Sequence, residues 1–274
     1  MPRFKLTIEY AGTRYSGWQI QKNAKTIQGE IDRAVRAITK RTDFELYGSG
    51  RTDAGVHALA QVAHLDVATT LPPDTLRRRI NDELPADIHV LDAVQVPHRF
   101  HARHDAVARR YLYQISRRRT AFAKALVWWV REPLDVPRMR DAAGALVGMR
   151  DFKLFAAADE TGDGPDRLRT GERPPSTLVL VDRVDIVEDG ALLLVSIEGS
   201  HFLWKMVRRI VGVLVEIGRG GLPADAVQEF LAAGSTAPAT LTAPPSGLFL
   251  ERVYYENDPR DSLHRAPRAV TPLW

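Results

Sequence analysis

The chain has no cysteine among its 274 residues. Disulfides, zinc–thiolate sites, iron–sulfur clusters and a thiol nucleophile are therefore excluded. Lysine is scarce, seven against 31 arginines. Arginine grips phosphate with a planar fork and stacks on bases, whereas lysine is a point charge. No apolar run approaches the roughly 18 residues of a membrane span. The opening MPRFKLTIEY has no long apolar stretch and reads as a first strand, not a signal peptide. A cytoplasmic protein with no membrane partner is expected.

Hydrophobic residues make up 45% and charged residues 26%, the balance of an ordered globular chain large enough for one big domain or two modest ones. The net charge of +4 is only a mild lean toward polyanions. Its distribution says more: residues 99–119 hold seven arginines and a single acid, Asp105.

Hydrophobic periodicity divides the chain into two halves. In the first, strands are expected at 4–10, 44–47, 59–67 and 88–96. Helices are expected at 27–38, capped by Thr26, and at 72–83, opened by the pair Pro72–Pro73. The order β-α-β-β-α-β is that of a split βαβ unit, two helices on one face of a four-stranded antiparallel sheet. The second half repeats this order with additions: strands at 109–116, 125–131, 176–187, 192–198 and 247–255, and helices at 138–147, 202–217 and 224–233. The fold class expected is α+β, two ferredoxin-like halves with antiparallel sheets flanking a central cleft. The expected domains are 1–105 and 106–256, with a loosely held polar tail at 257–274. Segment 159–175, rich in Gly, Pro, Asp and Arg, reads as a mobile loop.

Four segments could carry chemistry. YGSGRTDAGVHA, 47–58, packs three glycines, Ser49, Arg51, Thr52, Asp53 and His57 between two apolar strands. Its glycines allow positive φ or a close approach by a ligand, and Asp53 has no evident capping task. The plain alternative is a turn whose aspartate bonds its own backbone. Gly50, Thr52 and His57, flanking Asp53, are candidate substrate contacts. RFHARHDAVARRYLY, 99–113, mixes cationic, planar and aromatic side chains in a way that suits single-stranded or distorted nucleic acid. Arg99, His101, Arg103, Arg109 and Arg110 are its candidate contacts. Its histidines at 98, 101 and 104 call for no metal, because arginines crowd them and only Asp105 could balance a cation. SHFLWKMVRRIVGVLVEIG, 200–218, places Arg208 on the margin of an apolar helical arc. Trp204 lies one turn before it, and Gly212 one turn after opens space beside it. A guanidinium there needs a carboxylate partner; Arg209 is the second candidate. In PPSGLFLERVYY, 244–255, Leu248 and Leu250 could line a pocket floor.

Together these segments resemble the bacterial tRNA pseudouridine synthases that act on positions 38, 39 and 40 of the anticodon stem-loop. The motifs are YAGTRYSGWQIQ with TIQGEID, GSGRTDAGVHA, FHAR with ARRYLY, FLWKMVRRIVG and PPSGLFL, in order across residues 3–255. Departures occur at Ala11, where relatives commonly carry Asp, at His104, where Phe is usual, and at Lys153 and Leu154, where small hydroxyl residues are common.

The resemblance implies an isomerase that turns uridine into its C-glycoside without cofactor or metal. It implies Asp53 as the catalytic aspartate, Tyr111 as the active-site tyrosine and Arg208 as the arginine pairing with Asp53. Arg51 would help hold the flipped base or vacate its place, and Leu248 or Leu250 is the leucine of the closing motif. It also implies a homodimer whose RNA clefts both subunits shape. Asp53 could attack C1′, take a proton from C2′ or add to C6. Three rivals remain on the residues alone: a non-catalytic RNA-binding module, a hydrolase that cleaves the same glycosidic bond, and a structural protein whose glycine loop is only a turn.

Overall fold

The computed structural model describes residues 1–157, 176–232, 237–260 and 266–273. The expected loop at 159–175 lies outside them. Contacts divide the chain into two compact units. One comprises Met1–Gln114, Thr120–Trp128 and Pro245–Ala266; the other comprises Ile115–Arg119, Trp129–Pro244 and Pro267–Trp274.

In the first unit the alternation of Phe4, Leu6, Ile8 and Tyr10 becomes strand β1 (Arg3–Tyr10), with those four side chains buried. Helix α1 (Ile27–Thr39) starts where Thr26 accepts a hydrogen bond from the Gly29 amide, and it ends at Lys40 in the left-handed region. Strands β2 (Glu45–Gly48) and β3 (His57–Asp66) follow. Helix α2 (Pro73–Glu83), opened by its proline, and β4 (Ile88–Val96) complete the series. Ile27, Ile31, Leu76 and Ile80 of the helices share one core with the buried face of β1. β1 pairs antiparallel with both β4 and β3, and β2 pairs antiparallel with the far part of β3.

Two later strands join this unit. β5 (Ala106–Ser116) and β10 (Leu248–Tyr255) pair antiparallel, and β10 runs parallel to the start of β3, with Phe249 opposite His57. The boundaries expected at 105 and 256 therefore differ from the contact-defined units, because backbone pairing draws β10 and most of β5 onto the N-terminal sheet. That sheet is not purely antiparallel, since β10 enters it in parallel.

The expected strand at 125–131 shrinks to β6 (Trp128–Trp129). The carbonyls before it are engaged by side chains instead of a ladder: Ala125 meets His57, Leu126 accepts from Gln114 and Val127 accepts from Ser246.

In the second unit, α3 (Val136–Gly144) is followed by a short strand that periodicity missed, β7 (Gly148–Asp151). β8 (Leu178–Asp189) and β9 (Leu192–Gly199) form the expected hairpin, turned at Gly190 with φ 57°. β7 pairs with β8. Helix α4 (Met206–Gly218) begins four residues later than expected, because Lys205 sits at φ 60° and stops the helix there; Trp204 lies outside it. Helices α5 (Ala226–Ala232) and α6 (Ala237–Thr240) follow. The tail expected to be loose is partly tied down: Leu273 is buried and its carbonyl accepts the Ala191 amide, while Ala269 donates to Asp189. Among the described residues, no helix is long and apolar enough to cross a membrane.

Candidate active site

The connection between β2 and β3, residues 49–56, is laid against the loop that follows β1. The Trp18 amide donates to the Thr52 carbonyl at 3.1 Å, and the Gly55 amide to the Tyr15 carbonyl at 3.2 Å. Two glycines permit this approach. A Cβ on Gly12 would stand 1.9 Å from the Val56 carbonyl oxygen, and one on Gly17, at φ 91°, 2.5 Å from that of Thr52. Both clashes are with backbone, so neither can be relieved by a side-chain rotation.

The loop is also held from beneath by a fully buried amide, Gln61 of β3. Its Oε1 accepts from the Ser49 hydroxyl at 2.7 Å and from the Val62 amide at 3.2 Å. Its Nε2 donates to the Gly50 carbonyl at 3.1 Å and to the Tyr10 hydroxyl at 3.5 Å. Tyr10 in turn shares a 2.9 Å hydrogen bond with the Thr52 hydroxyl. Both neighbours of Arg51 are thus fixed, one through a carbonyl and one through a side chain. Arg51 itself is exposed and Asp53 half-buried. The sequence reading missed Gln61; its only signal was an amide in the middle of an apolar strand.

Two residues expected to touch substrate are turned inward. The Thr52 hydroxyl is buried and committed to Tyr10. His57 is buried, its Nδ1 accepts the Gly12 amide at 3.1 Å, and its ring stacks on Phe249 at 4.7 Å. With Nδ1 occupied as an acceptor, the proton belongs on Nε2, which faces the Ala125 carbonyl at 3.1 Å. Burial pushes the His57 pKa down. It joins the loop after β1 to the stretch before β6. Gly50 keeps open space, since a Cβ there would meet nothing within 4 Å.

Tyr111 lies on β5, directly opposite Leu250 of β10, while Leu248 stands opposite Tyr113. Both leucines are buried, but Leu250 is the one that borders Tyr111. Burial pushes the Tyr111 phenol up to about 12; the Arg109 charge opposes this, and the negative charge of Asp53 adds to it. Asp53 and Tyr111 are therefore near enough to sense each other. Arg109 does not reach out toward solvent. It donates to the carbonyls of Ala106 at 3.1 Å, Ser49 at 3.2 Å and Arg103 at 3.0 Å. It thereby clamps the aspartate loop to the turn after β4, and burial lowers its pKa.

Arg110 is likewise turned inward. A register shift between Leu250 and Arg252 turns Glu251 toward it, and the two form a bidentate pair at 2.9 and 2.8 Å. Arg110 is 5% exposed, so its fork is spent inside the protein. Arg99 and Arg103 are exposed and His101 is half-buried. In the second unit, Arg208 of α4 is half-buried. Its Nε donates to the Ala243 carbonyl at 2.8 Å, while the Ala243 amide donates back to the Arg208 carbonyl at 3.0 Å. The space expected beside Gly212 is filled by this chain segment, since a Cβ there would stand 1.4 Å from the Leu241 carbonyl oxygen. Arg209 donates to the Ala156 carbonyl. Among the described residues, no group of acids and histidines could hold a metal ion.

This constellation, a carboxylate on an anchored glycine loop and a half-buried phenol in the same unit, sits in a chain whose relatives are well defined. The sequence model of the tRNA pseudouridine synthases matches residues 6–105 and 142–256; the chain belongs to that family. Asp53 and Arg208 fall within the two matched stretches, and Tyr111 lies between them. Among curated relatives, tRNA pseudouridine synthase A of Rhodopseudomonas palustris (strain BisA53) is 42% identical over 259 residues, spanning 93% of this chain and 100% of the relative. The protein of the same name from Halalkalibacterium halodurans is 40% identical over 254 residues, spanning 92% of each. Among solved structures, a chain of a Cbf5-Nop10-Gar1 complex overlaps 77% of this chain and 54% of its own length at TM-score 0.30 and 10% identity, too slight a likeness to bear on the fold.

Proposed function

We propose that this chain converts uridine to pseudouridine at positions 38, 39 and 40 of the tRNA anticodon stem-loop. Asp53, Tyr111, Arg208 and Arg51 would form its catalytic group. One observation carries the reading: both neighbours of Arg51 are anchored, the Gly50 carbonyl by Gln61 and the Thr52 hydroxyl by Tyr10. A loop held this firmly can aim a carboxylate without reorganising at each turnover.

The uridine leaves its stem, at a cost of a few kcal/mol, and Tyr111 stacks on the extruded base. The N1–C1′ bond breaks, the uracil turns, and C5 bonds to C1′. C5 gives up its proton and N1 gains one, so no oxidant or reductant is needed. Attack on C1′, proton removal from C2′ and addition to C6 all require the Asp53 anion. Arg208 would pair with that carboxylate and fix its direction. Leu250, beside Tyr111, is the leucine assigned to the pocket floor. The partner is tRNA, bound by a homodimer whose mass sedimentation would reveal.

The test is Asp53→Asn with tRNA tritiated at uridine C5. Tritium release should fall to background while tRNA still binds; appreciable release by the variant overturns the assignment. Free uracil among the products would instead select the hydrolase, and binding without any chemistry by the wild type would select the RNA-binding module.

A further inference from the structure

We propose that Tyr47, His101 and His104 form a stacking platform for an unpaired nucleobase of the RNA, beside the loop that carries Asp53. This rests on the function proposed above and adds a binding site to it.

Four rings meet at this point. Tyr47 of β2 is the register partner of His64 of β3, and their rings lie 18° apart in plane with centroids at 5.8 Å. The His101 ring meets both edge-on, at 5.0 Å from Tyr47 and 4.7 Å from His64. His104 extends the array, 4.1 Å from His101. His64 is the buried floor, whereas Tyr47 is 44% exposed and His104 is exposed. Tyr47 and His104 are therefore accessible to solvent on a support that is itself packed.

Two of the imidazoles are held uncharged. His101 Nδ1 accepts the amides of Arg103 and His104, both at 3.2 Å. His64 Nδ1 accepts the Ala102 amide at 3.2 Å. A nitrogen that accepts backbone amides is not free to take a proton, and burial lowers both pKa values. Neutral rings offer π-faces, which suit a base and not a phosphate. The phosphate-binding chemistry stands alongside, on exposed Arg103.

The array is coupled to the aspartate loop. Arg109 donates to both the Ser49 and the Arg103 carbonyls, so the histidine turn and that loop move as one body. Tyr47 precedes Gly50 by three residues, and the space around Gly50 is open. A base resting on the platform would belong to a nucleotide near the uridine presented to Asp53.

The experiment measures tRNA dissociation constants across a salt series for the wild type, Tyr47→Ala, His104→Ala, Tyr47→Phe and His104→Phe. Each alanine variant should bind about tenfold more weakly, with the slope of log Kd against log salt unchanged. Each phenylalanine variant should restore binding, because it restores a ring face without a hydroxyl or imidazole. Wild-type affinity in the alanine variants overturns the platform. So does a shallower salt slope, which marks a phosphate contact, and so does failure of phenylalanine to rescue. A parallel pseudouridine assay on the wild type keeps the two readings apart. No product there, with the binding pattern intact, removes the synthase and keeps the platform; product with unchanged variants does the reverse.

Discussion

Gln61 fixes the aspartate loop without charge and without touching a ligand. Replacing it with leucine would strand the Ser49 hydroxyl and the Gly50 carbonyl, each costing roughly 1–3 kcal/mol when buried unpaired. Gln61→Leu is expected to lose about 2–4 kcal/mol in urea unfolding and at least about tenfold in the single-turnover rate of pseudouridine formation. Tyr10→Phe should lose less, and the double variant less than the sum, because both act through one network; strict additivity would show that the two bonds do not cooperate. His64 gives a second prediction. Burial, helped by the Arg3 charge, holds its pKa down to about 4, against an ordinary value near 6.5. The unfolded chain therefore binds a proton that the folded one refuses between those pH values. Stability is full above about pH 6.5 and falls as pH drops toward 4, by on the order of 2–3 kcal/mol. Urea unfolding at pH 7 and pH 5 reads this loss, which His64→Gln should flatten. Single residues were legible where the local pattern was conspicuous: the glycines around Asp53 announced the connection between β2 and β3. The ion pair of Arg110 was not legible, because its partner, Glu251, lies 141 residues away and faces it only after a bulge.

Elements were read well where one face is buried and poorly where the backbone is used by something other than a ladder. β1, α1, α2 and β4 follow their periodicity, with Thr26 and Pro73 marking the helix starts. The stretch before β6 carries strand-like residues, yet His57, Gln114 and Ser246 engage its carbonyls. Such a competition between side chain and ladder leaves no trace in hydrophobic pattern. Helix α4 shows the same limit, since Lys205 in the left-handed region sets its start and no glycine advertises it. The glycines of two helices separate propensity from packing. Gly→Ala in a helix gains up to about 1 kcal/mol from backbone propensity. At Gly144 of α3 a Cβ meets nothing within 4 Å, so Gly144→Ala should be neutral or stabilising by about 0.5 kcal/mol. At Gly212 of α4 a Cβ would overlap the Leu241 carbonyl. Steric cost wins there, and Gly212→Ala should destabilise by about 3 kcal/mol or more and loosen the Ala243 contact with Arg208. Thermal and urea unfolding of the two variants should move in opposite directions, or at least unequally by several kcal/mol.

For the molecule as a whole, composition announced a polyanion-binding chain but overcounted the charges available for it. Residues 99–119 hold seven arginines, yet Arg109 is spent on three backbone carbonyls and Arg110 on Glu251. Arg117 is paired with Glu188 at 2.5 Å in a partly exposed bridge, where water and salt leave the attraction weak. Arg118 donates to the Arg119 carbonyl at 3.1 Å, Arg119 lies over the Trp129 ring at 5.1 Å, and Arg99 and Arg103 are exposed. Each phosphate neutralised adds roughly 0.7–0.9 to the magnitude of the slope of log affinity against log salt. Arg103→Ala should therefore reduce that slope by about that amount and weaken binding at every salt concentration. Arg110→Ala should leave the slope unchanged and instead destabilise the fold, because it leaves Glu251 without its partner. Filter binding of tRNA over a salt series, beside urea unfolding of the same two variants, separates an outward arginine from an inward one. A reduced slope in Arg110→Ala would mean that its fork leaves Glu251 to meet RNA, and that the positive face is larger than the folded chain displays.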